Sequence, residues 1–422
     1  MLSAVDPDDG DFHNFQLIGD LSGKFEIIGS TLRVRQGVEL DFEMQNEYSV
    51  RIRAIDSTNR AVEKDLTVDV IDIVDEQFRG TSGNDTILGT VTNNQIFGGN
   101  GNDDISGFEG NDVLNGERGQ DNLDGGDGAD DLDGGEGADR MLGGEGNDEY
   151  WVDNVGDTVI ELANEGYDRV YVDGLAQWTL SANTERLTFL DTGNHIATGN
   201  SGDNRLEGNA GVDRFILDEG GADIFSGGNA LDIFDARLGT AGMNLNLNET
   251  TQAGTGDVQG DRFVSMEVFW GSNTADDVMV AGAGRAKFYG FGGDDVLTGG
   301  SATVDLLDGG KGDDTLDGGA GVDVLRGFTG NDMLTGGSGK DQFQYVFAGF
   351  GQDTITDFQD GLDRLRVFSA VADEVSDFTI NGNGTSSVLL SLNDSIGGEN
   401  TITLNGDGGA NVFVDAVDFL FY

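Results

Sequence analysis

Apolar residues recur at every ninth position over a long stretch that is otherwise rich in glycine and aspartate. The stretch runs from Gly80 to Trp151 in eight units of nine residues, and the eighth position of each unit is apolar. This period predicts one short strand per unit, with a single side chain directed into a core and a turn before the next strand. The apolar residues are Ile87, Ile96, Ile105, Leu114, Leu123, Leu132, Met141 and Tyr150.

Three polar positions keep the same register as the apolar one. The first position is glycine in every unit, and the fourth is glycine in every unit except at Thr92. The sixth position is aspartate except for Asn94, which lies in the same exceptional unit. Glycine permits turn conformations that a Cβ would forbid, and the aspartate adds a carboxylate to the carbonyl oxygens of the turn. Each unit therefore predicts a cup of oxygen ligands followed by a strand.

A second array of the same kind extends from Gly290 to Gln344. The interval from Gly299 to Asp308 is one residue too long, so we expect the unit of Asp305 to bulge or to lose its site. A weaker stretch in the same frame, from Gly199 to Phe215, is predicted to be scaffold without a site of its own.

The rest of the chain has patterns typical of strands. The first 78 residues alternate apolar and polar side chains, which predicts a small antiparallel sandwich. The predicted organisation is a partial N-terminal domain at 1–78, a first array at 79–151, a β-rich connector with degenerate units at 152–289, a second array at 290–345 and a C-terminal cap with an export signal at 346–422.

Stacking explains how such units bind a cation. Two units make one coil of a right-handed parallel β-roll, so turns on the same side stack at about 4.8 Å. An ion between unit i and unit i+2 collects oxygens from both and reaches the six to eight ligands that Ca²⁺ prefers. This gives about eight sites in the two arrays. The predicted metal-binding residues are Asp85, Gly98, Gly101, Asp103, Gly107, Gly110, Asp112, Gly116, Gly119, Asp121, Gly125, Gly128, Asp130, Gly134, Gly137, Asp139, Gly143, Asp148, Asp295, Gly309, Asp314, Gly318, Asp323, Gly327, Asp332, Gly336 and Asp341.

Charge and composition point to the same cation. The formal net charge is -55, from 78 acidic and 23 basic residues, so a compact fold needs positive counter-charge. Nucleic acids and anionic membranes are disfavoured as partners, because both attract Lys and Arg. There is no cysteine, and His13 and His195 are expected to be loop residues rather than zinc ligands. No apolar run is long enough to span a bilayer, and we expect no N-terminal signal peptide.

The two arrays resemble the GGxGxDxUx nonapeptides of RTX (repeats-in-toxin) proteins. The segment GQDTITDFQDGLDRLRV from Gly351 is similar to the stretch that follows the last repeat in RTX exoproteins, and the terminal VDAVDFLFY is similar to their export signals. The resemblance implies an all-β calcium-binding roll, secretion by a type I ABC transporter and folding by Ca²⁺ outside the cell.

The N-terminal part resembles a cadherin-like domain. DPDDG, LDFE, RAID and DIVDE occur in the order of that family, although the one or two strands expected before DPDDG are absent. We therefore expect an incomplete domain, as in a fragment of a longer adhesin or in a sequence that starts from a misplaced initiator. The resemblance implies calcium ligands at Asp6, Asp8, Glu43, Asp56 and Asp75.

Two classes of function fit these features. HExxH and GxSxG motifs are absent from the sequence, so we expect no enzyme but a non-enzymatic extracellular matrix, surface or adhesion protein. Its candidate partners are a cell-surface or extracellular polysaccharide or protein. The alternative is the calcium-folding and export module of an RTX exoenzyme, such as a protease, a lipase or a polysaccharide-modifying enzyme, whose catalytic domain lies outside this chain.

Overall fold

The protein is described by a computed structural model that covers residues 14–20, 22–35, 47–69, 76–217, 220–252, 256–301, 304–346, 349–368, 372, 378–392, 400–414 and 418–421. The regular elements of these residues are strands, apart from one short 3-10 helix at Asp407–Gly409. Within the same ranges, no helix has the length and apolar character needed to cross a membrane. The predicted all-β class is confirmed.

The N-terminal strands form a separate antiparallel unit. Strands are numbered in chain order, and this unit contains β1 (Asn14–Asp20), β2 (Phe25–Ile28), β3 (Thr31–Val34), β4 (Glu47–Ile55) and β5 (Ala61–Asp69). β4 lies between β1 and β5 in one sheet, and β2 and β3 form a hairpin. Alternate residues of β4 point to the same side, so Tyr48, Val50 and Ile52 pack with Phe25 in a small core.

The following strands form a parallel solenoid in which the chain alternates between sheets. The first sheet contains β6 (Glu76–Arg79), β8 (Asn94–Asn100), β10 (Val113–Gly119), β12 (Asp131–Asp133), β15 (Glu149–Val152), β17 (Arg169–Val172), β19 (Arg186–Phe189), β21 (Arg205–Glu207), β23 (Ile224–Ser226) and β26 (Arg262–Val264). The second sheet contains β7 (Thr86–Leu88), β9 (Asp104–Glu109), β11 (Asn122–Asp127), β14 (Arg140–Glu145) and β16 (Thr158–Ile160).

Two further sheets continue the solenoid. The third contains β18 (Gln177–Thr179), β20 (Ile196–Thr198), β22 (Arg214–Ile216), β24 (Ile233–Asp235), β27 (Val268–Trp270), β29 (Lys287–Gly292), β31 (Leu306–Lys311), β34 (Val324–Thr329), β37 (Gln342–Tyr345), β39 (Arg364–Val367) and β43 (Phe419–Phe421). The fourth contains β25 (Asn244–Asn246), β28 (Val278–Val280), β30 (Val296–Thr298), β32 (Thr315–Asp317), β35 (Met333–Thr335), β38 (Gln352–Phe358), β40 (Phe378–Asn381), β41 (Ser387–Leu392) and β42 (Thr401–Gly406). Three two-residue strands are β13 (Glu136–Gly137), β33 (Ala320–Gly321) and β36 (Ser338–Gly339).

The strand register confirms that two units of nine make one coil. Leu114 of β10 lies opposite Ile96 of β8 on one side and opposite Leu132 of β12 on the other. Each partner is the eighth-position residue of the second unit before or after that of Leu114. The apolar residues of successive coils therefore stack directly on one another. Burial removes each from water, which stabilises the fold by about 1.5–3 kcal/mol per large side chain.

The connector continues the solenoid with the same kind of core. One apolar cluster extends from Ile96 to Phe419 through the arrays and the segment between them. Within the connector the inward position is often phenylalanine, and the Phe225 ring lies 4.9 Å from the Phe234 ring, centre to centre. The larger rings maintain the core where the glycine turns are irregular.

The C-terminal strands change direction at the end of the solenoid. β40, β41 and β42 pair antiparallel, whereas β42 pairs parallel with β38 and β43 pairs parallel with β39. The antiparallel pairs extend the last sheet beyond the repeating coils. This arrangement is what a cap requires, because a terminal coil without it would expose unpaired backbone groups.

Candidate calcium sites

The sixth-position aspartates of stacked coils are joined by hydrogen bonds into ladders. The backbone N–H of Asp103 donates to Oδ1 of Asp121 at 2.7 Å, and the N–H of Asp121 donates to Oδ1 of Asp139 at 2.7 Å. The second array repeats the contact, with the N–H of Asp314 donating to Oδ1 of Asp332 at 2.9 Å. Each aspartate is therefore held by the coil before it, and its carboxylate has a fixed orientation.

The second carboxylate oxygen of these aspartates is buried without a hydrogen-bond partner. Such an oxygen loses its contacts with water and gains no other, which costs about 1–3 kcal/mol or more for a charged group. Orphaned oxygens that recur in register indicate a ligand rather than a packing defect. Among the predicted residues this holds for Oδ2 of Asp103, Asp112, Asp121, Asp130, Asp139, Asp148, Asp295, Asp314, Asp323, Asp332 and Asp341.

The first-position glycines leave room where these oxygens converge. A Cβ on Gly98 would lie 2.5 Å from Oδ2 of Asp103 and 2.8 Å from the carbonyl oxygen of Gly116 in the next coil. A carboxylate oxygen and a carbonyl oxygen from successive coils thus face one point that only a glycine leaves open. The fourth-position glycine is equally constrained, since Gly119 has a φ of 152° and lies against the carbonyl of Gly101.

The electrostatics of the buried carboxylates favour a bound cation. Burial, with smaller contributions from neighbouring aspartates, raises the pKa of Asp130 to about 7 and of Asp314 to about 8. Burial likewise raises the pKa of Asp112 to about 6. A divalent cation would remove this penalty by neutralising the ionised forms. Carboxylate and carbonyl oxygens without nitrogen or sulfur are the ligands of Ca²⁺, so the residues fit this ion.

A few predicted positions differ from the regular site. Both Thr81 donors, the backbone N–H and the hydroxyl, bind Oδ2 of Asp85 at 2.6 and 2.8 Å, so this carboxylate is already satisfied. The longer unit keeps its aspartate in the ladder. Asp305 is fully buried, and its Oδ1 accepts a hydrogen bond of 2.8 Å from the backbone N–H of Ala286. Its Oδ2 instead accepts a bond from the N–H of Gly300 at 2.9 Å.

The cadherin-like ligands are described only in part. Asp6, Asp8, Glu43 and Asp75 lie outside the described residues. Asp56 caps the turn between β4 and β5, where its Oδ1 accepts bonds from the backbone N–H groups of Thr58 at 2.9 Å and Arg60 at 2.8 Å. This is the geometry of an ordinary aspartate turn.

Sequence reasoning missed several aspartates of the ladder, including Asp168, Asp232 and Asp353. Oδ2 of Asp168, Asp232 and Asp353 is also buried without a hydrogen-bond partner. Asp168 and Asp353 keep the glycine two residues earlier and an apolar residue two later, but they lack the usual first-position glycine. Asp232 keeps its first glycine, Gly227, and has Ala230 at the fourth position with a φ of 153°. Each of the three keeps two of the features of a regular unit, which are the first glycine, the fourth glycine and the apolar eighth residue. A search that required only two of these features would have found them.

His195 lies in the loop directly before β20, as expected. His195 is buried and occupies a sixth position of the ladder, with its N–H donating to Oδ1 of Asp213 at 2.9 Å. Its ring nitrogens lie 3.0 Å from carboxylate oxygens of Asp191 and Asp213, and the ring stacks on Phe189 at 4.2 Å. The histidine therefore replaces an aspartate and fills its site with a side chain.

Comparison with known proteins agrees with this geometry. The family description "RTX calcium-binding nonapeptide repeat (4 copies)" matches residues 79–114, 89–123, 106–141, 115–150, 124–159, 191–221, 198–234, 272–303 and 304–343. The chain thus carries RTX calcium-binding repeats, which bind Ca²⁺, in both arrays and in part of the connector. No curated protein matches the chain.

One solved structure with detectable similarity is the solution structure of the AlgE6R3 subunit from the Azotobacter vinelandii mannuronan C5-epimerase. The identity is 25%, and the match covers 37% of this chain and 80% of that chain, with a TM-score of 0.23. A score this low does not relate the two overall shapes.

Proposed function

We propose that this protein is secreted, is folded by Ca²⁺ outside the cell, and acts there without enzymatic activity by binding an extracellular or cell-surface partner. The observation that carries the calcium part is the series of buried, unpartnered Oδ2 atoms in register with first-position glycines. About eight ions per chain follow from pairing each unit with the second unit after it. Equilibrium dialysis that found only one or two ions per chain would contradict this stacking.

Export and folding would share one switch. Without Ca²⁺ the charge of -55 and the 70 glycines favour an expanded chain, which a transporter can thread. Millimolar Ca²⁺ outside the cell would then close the coils. The test is to remove the terminal residues 414–422 and to measure export in a host with a type I ABC transporter. Undiminished export would contradict the proposed signal.

An exposed groove supports a binding role. It has a volume of about 500 Å³ and is lined by aromatic and apolar side chains and one lysine. The lysine is notable because the protein as a whole is strongly acidic. Exposed apolar patches of this kind commonly mark interaction sites. The guanidinium of Arg237 lies 4.4 Å from the centre of the Trp270 ring at the edge of the groove. The lining residues are Val212, Leu231, Ile233, Val268, Trp270, Lys287, Tyr289 and Phe291.

A binding screen with matched variants tests this role. We expect the calcium-loaded protein to bind intact cells or extracellular polysaccharide, and Trp270→Ala to weaken binding. Trp151→Ala is the control, because Trp151 is also partly exposed and stacks on Tyr171 at 5.0 Å, but lies on the first sheet. Equal binding by wild type and Trp270→Ala would contradict a role for the groove. Absence of binding to any surface would favour the alternative of an exoenzyme's folding module.

A further inference from the structure

Three buried carboxylates converge where the first array ends. One carboxylate oxygen from each of Asp148, Glu161 and Asp168 lies within 4.8 Å of the other two. The exposed fraction is 1% for Asp148, 5% for Glu161 and 1% for Asp168, so water does not solvate these groups. We call these three residues the carboxylate trio.

The strand register explains why a glutamate enters this position. Leu142 of β14 lies opposite Ile160 of β16, so Glu161 follows directly opposite Gly143. In the preceding coil, a Cβ added to Gly125 would lie 2.7 Å from the carbonyl oxygen of Gly143. At Gly143 itself, a Cβ would overlap the Tyr150 hydroxyl, Oδ2 of Asp148 and Oε1 of Glu161. The glutamate side chain therefore supplies an oxygen where the regular coil supplies a carbonyl.

The hydrogen bonds leave one oxygen of each carboxylate unsatisfied. Oδ1 of Asp148 accepts from the N–H of Asp130 at 2.8 Å, and Oδ1 of Asp168 accepts from the N–H of Asp148 at 2.9 Å. The Tyr150 hydroxyl donates to Oε1 of Glu161. Oδ2 of both aspartates and Oε2 of Glu161 are buried without a hydrogen-bond partner.

Among the residues that the structure describes, no ion pair joins a basic side chain to the trio. The nearest basic residue in sequence is Arg169, whose guanidinium pairs instead with Glu149 at 3.9 Å and Glu207 at 3.8 Å. Burial, followed by the repulsion of nearby carboxylates, raises the pKa of Glu161 to about 8. An isolated buried charge is costly, and three carboxylates with oxygens within 4.8 Å of one another need protons or a metal ion as compensation.

We propose that Asp148, Glu161 and Asp168 bind one Ca²⁺ ion, and that this site fills at a lower Ca²⁺ concentration than the nonapeptide sites. A regular site receives one unpartnered aspartate oxygen from each of two stacked turns, whereas this site adds Glu161 as a third carboxylate. Ca²⁺ affinity increases with ligand charge and rigidity. The site stands on its own side chains and does not depend on the proposed extracellular role. Its ion would join the last repeat of the first array to the next coil and start folding there.

Calcium titration of the full chain with two variants tests the proposal. By equilibrium dialysis, we expect wild type to bind one ion at a roughly tenfold lower concentration than the others. Glu161→Gln should lose this ion and keep the weaker ones. Asp121→Asn, within the regular array, should keep the tight ion and lose or weaken a weak one. The same tight ion in Glu161→Gln would overturn the proposal, while loss of weak binding in Asp121→Asn would still support the nonapeptide sites.

A measurement on wild type keeps the proposal testable if Glu161→Gln does not fold. Eu³⁺ can replace Ca²⁺, and its directly excited emission reports the summed charge of its ligands and the number of bound waters. The first equivalent bound should report three carboxylates and few waters. A first equivalent with two carboxylates or fewer and several waters would overturn the proposal, because two stacked regular turns supply only two carboxylates.

Discussion

The backbone N–H of Asp103 donates a hydrogen bond of 2.7 Å to Oδ1 of Asp121 in the next coil. Oδ2 of the same Asp121 carboxylate is buried without a hydrogen-bond partner. One side chain thus holds the preceding turn with one oxygen and offers the other to an ion. The ladder couples the geometry of neighbouring turns to the binding of Ca²⁺ between them.

Removing this carboxylate should weaken folding by Ca²⁺. Asp121→Ala loses the ladder bond and one ligand, at a cost of about 1–3 kcal/mol before any lost ion is counted. We expect the Ca²⁺ concentration at half-folding to increase, as followed by circular dichroism. Asp127→Ala is the charge-matched control, because Asp127 is exposed in the following turn. Equal midpoints for the two variants would show that charge, rather than position, determines binding.

Adding a methyl group at a first-position glycine should have a similar effect. A Cβ on Gly116 would lie 2.5 Å from the carbonyl oxygen of Gly134 and would overlap Oδ2 of Asp121. Gly116→Ala should therefore raise the Ca²⁺ midpoint and lower the melting temperature. At Gly83 the same Cβ would meet nothing within 4 Å, so Gly83→Ala should behave as wild type. A Gly116→Ala variant with the same melting temperature as the wild type would contradict the predicted cup of oxygen ligands.

The calcium-free chain should gain structure as the pH falls. Burial raises the pKa of Asp130 and Asp295 from 3.8 to about 7 in the folded coils. The folded state therefore binds more protons than the unfolded state between these values, and the free energy of unfolding decreases as pH rises through them. Circular dichroism in EGTA should show more β-structure at about pH 5 than at about pH 7.5.

Calorimetry gives an independent check of this proton linkage. Ca²⁺ binding at about pH 6.5 should release protons, because the ion displaces them from buried carboxylates. The observed heat should then depend on the ionisation enthalpy of the buffer. Identical heats in two buffers, together with a pH-independent β signal in EGTA, would contradict the account of these pKa values.

His195 should contribute to stability through the contacts of its buried ring. Its ring contacts Asp191 and Asp213 and stacks on Phe189, so His195→Ala leaves a buried carboxylate partly unpaired. We expect a loss of about 2 kcal/mol in the free energy of unfolding of the calcium-loaded protein. Thr192→Ala, at an exposed position of the same turn, should change it little. Equal stability of the two variants would contradict the predicted contribution of the His195 contacts.

The sequence predicted the repeating coil well because its pattern is strict. Each apolar eighth-position residue, such as Leu114, can only point into the core of the coil. The residues on which it stacks follow from the period of nine. The aspartates next to two glycines were recognisable for the same reason. Regular positions are predictable because the geometry strongly favours one kind of residue at each of them.

The irregular positions were not predictable from the pattern. Glu161 joins the carboxylate trio because the pairing of β14 with β16 places it opposite Gly143. The turn before Asp168 is longer than in the regular units, so no fixed spacing in the sequence identifies Glu161 as a ligand. His195 replaces an aspartate that the pattern requires, and its ladder position is visible only when the coils are stacked. In both cases the decisive contact is between residues of different coils.

We propose that Ca²⁺ supplies the free energy that closes the solenoid. Extracellular calcium modules typically bind with dissociation constants of about 10⁻⁴ to 10⁻³ M. The most direct measurement is circular dichroism of the full chain at neutral pH, in EGTA and after addition of millimolar Ca²⁺ or Mg²⁺. The account predicts a coil spectrum in EGTA, a cooperative change to β-structure with Ca²⁺ and a poor response to Mg²⁺. A full β spectrum in EGTA at low salt would contradict it.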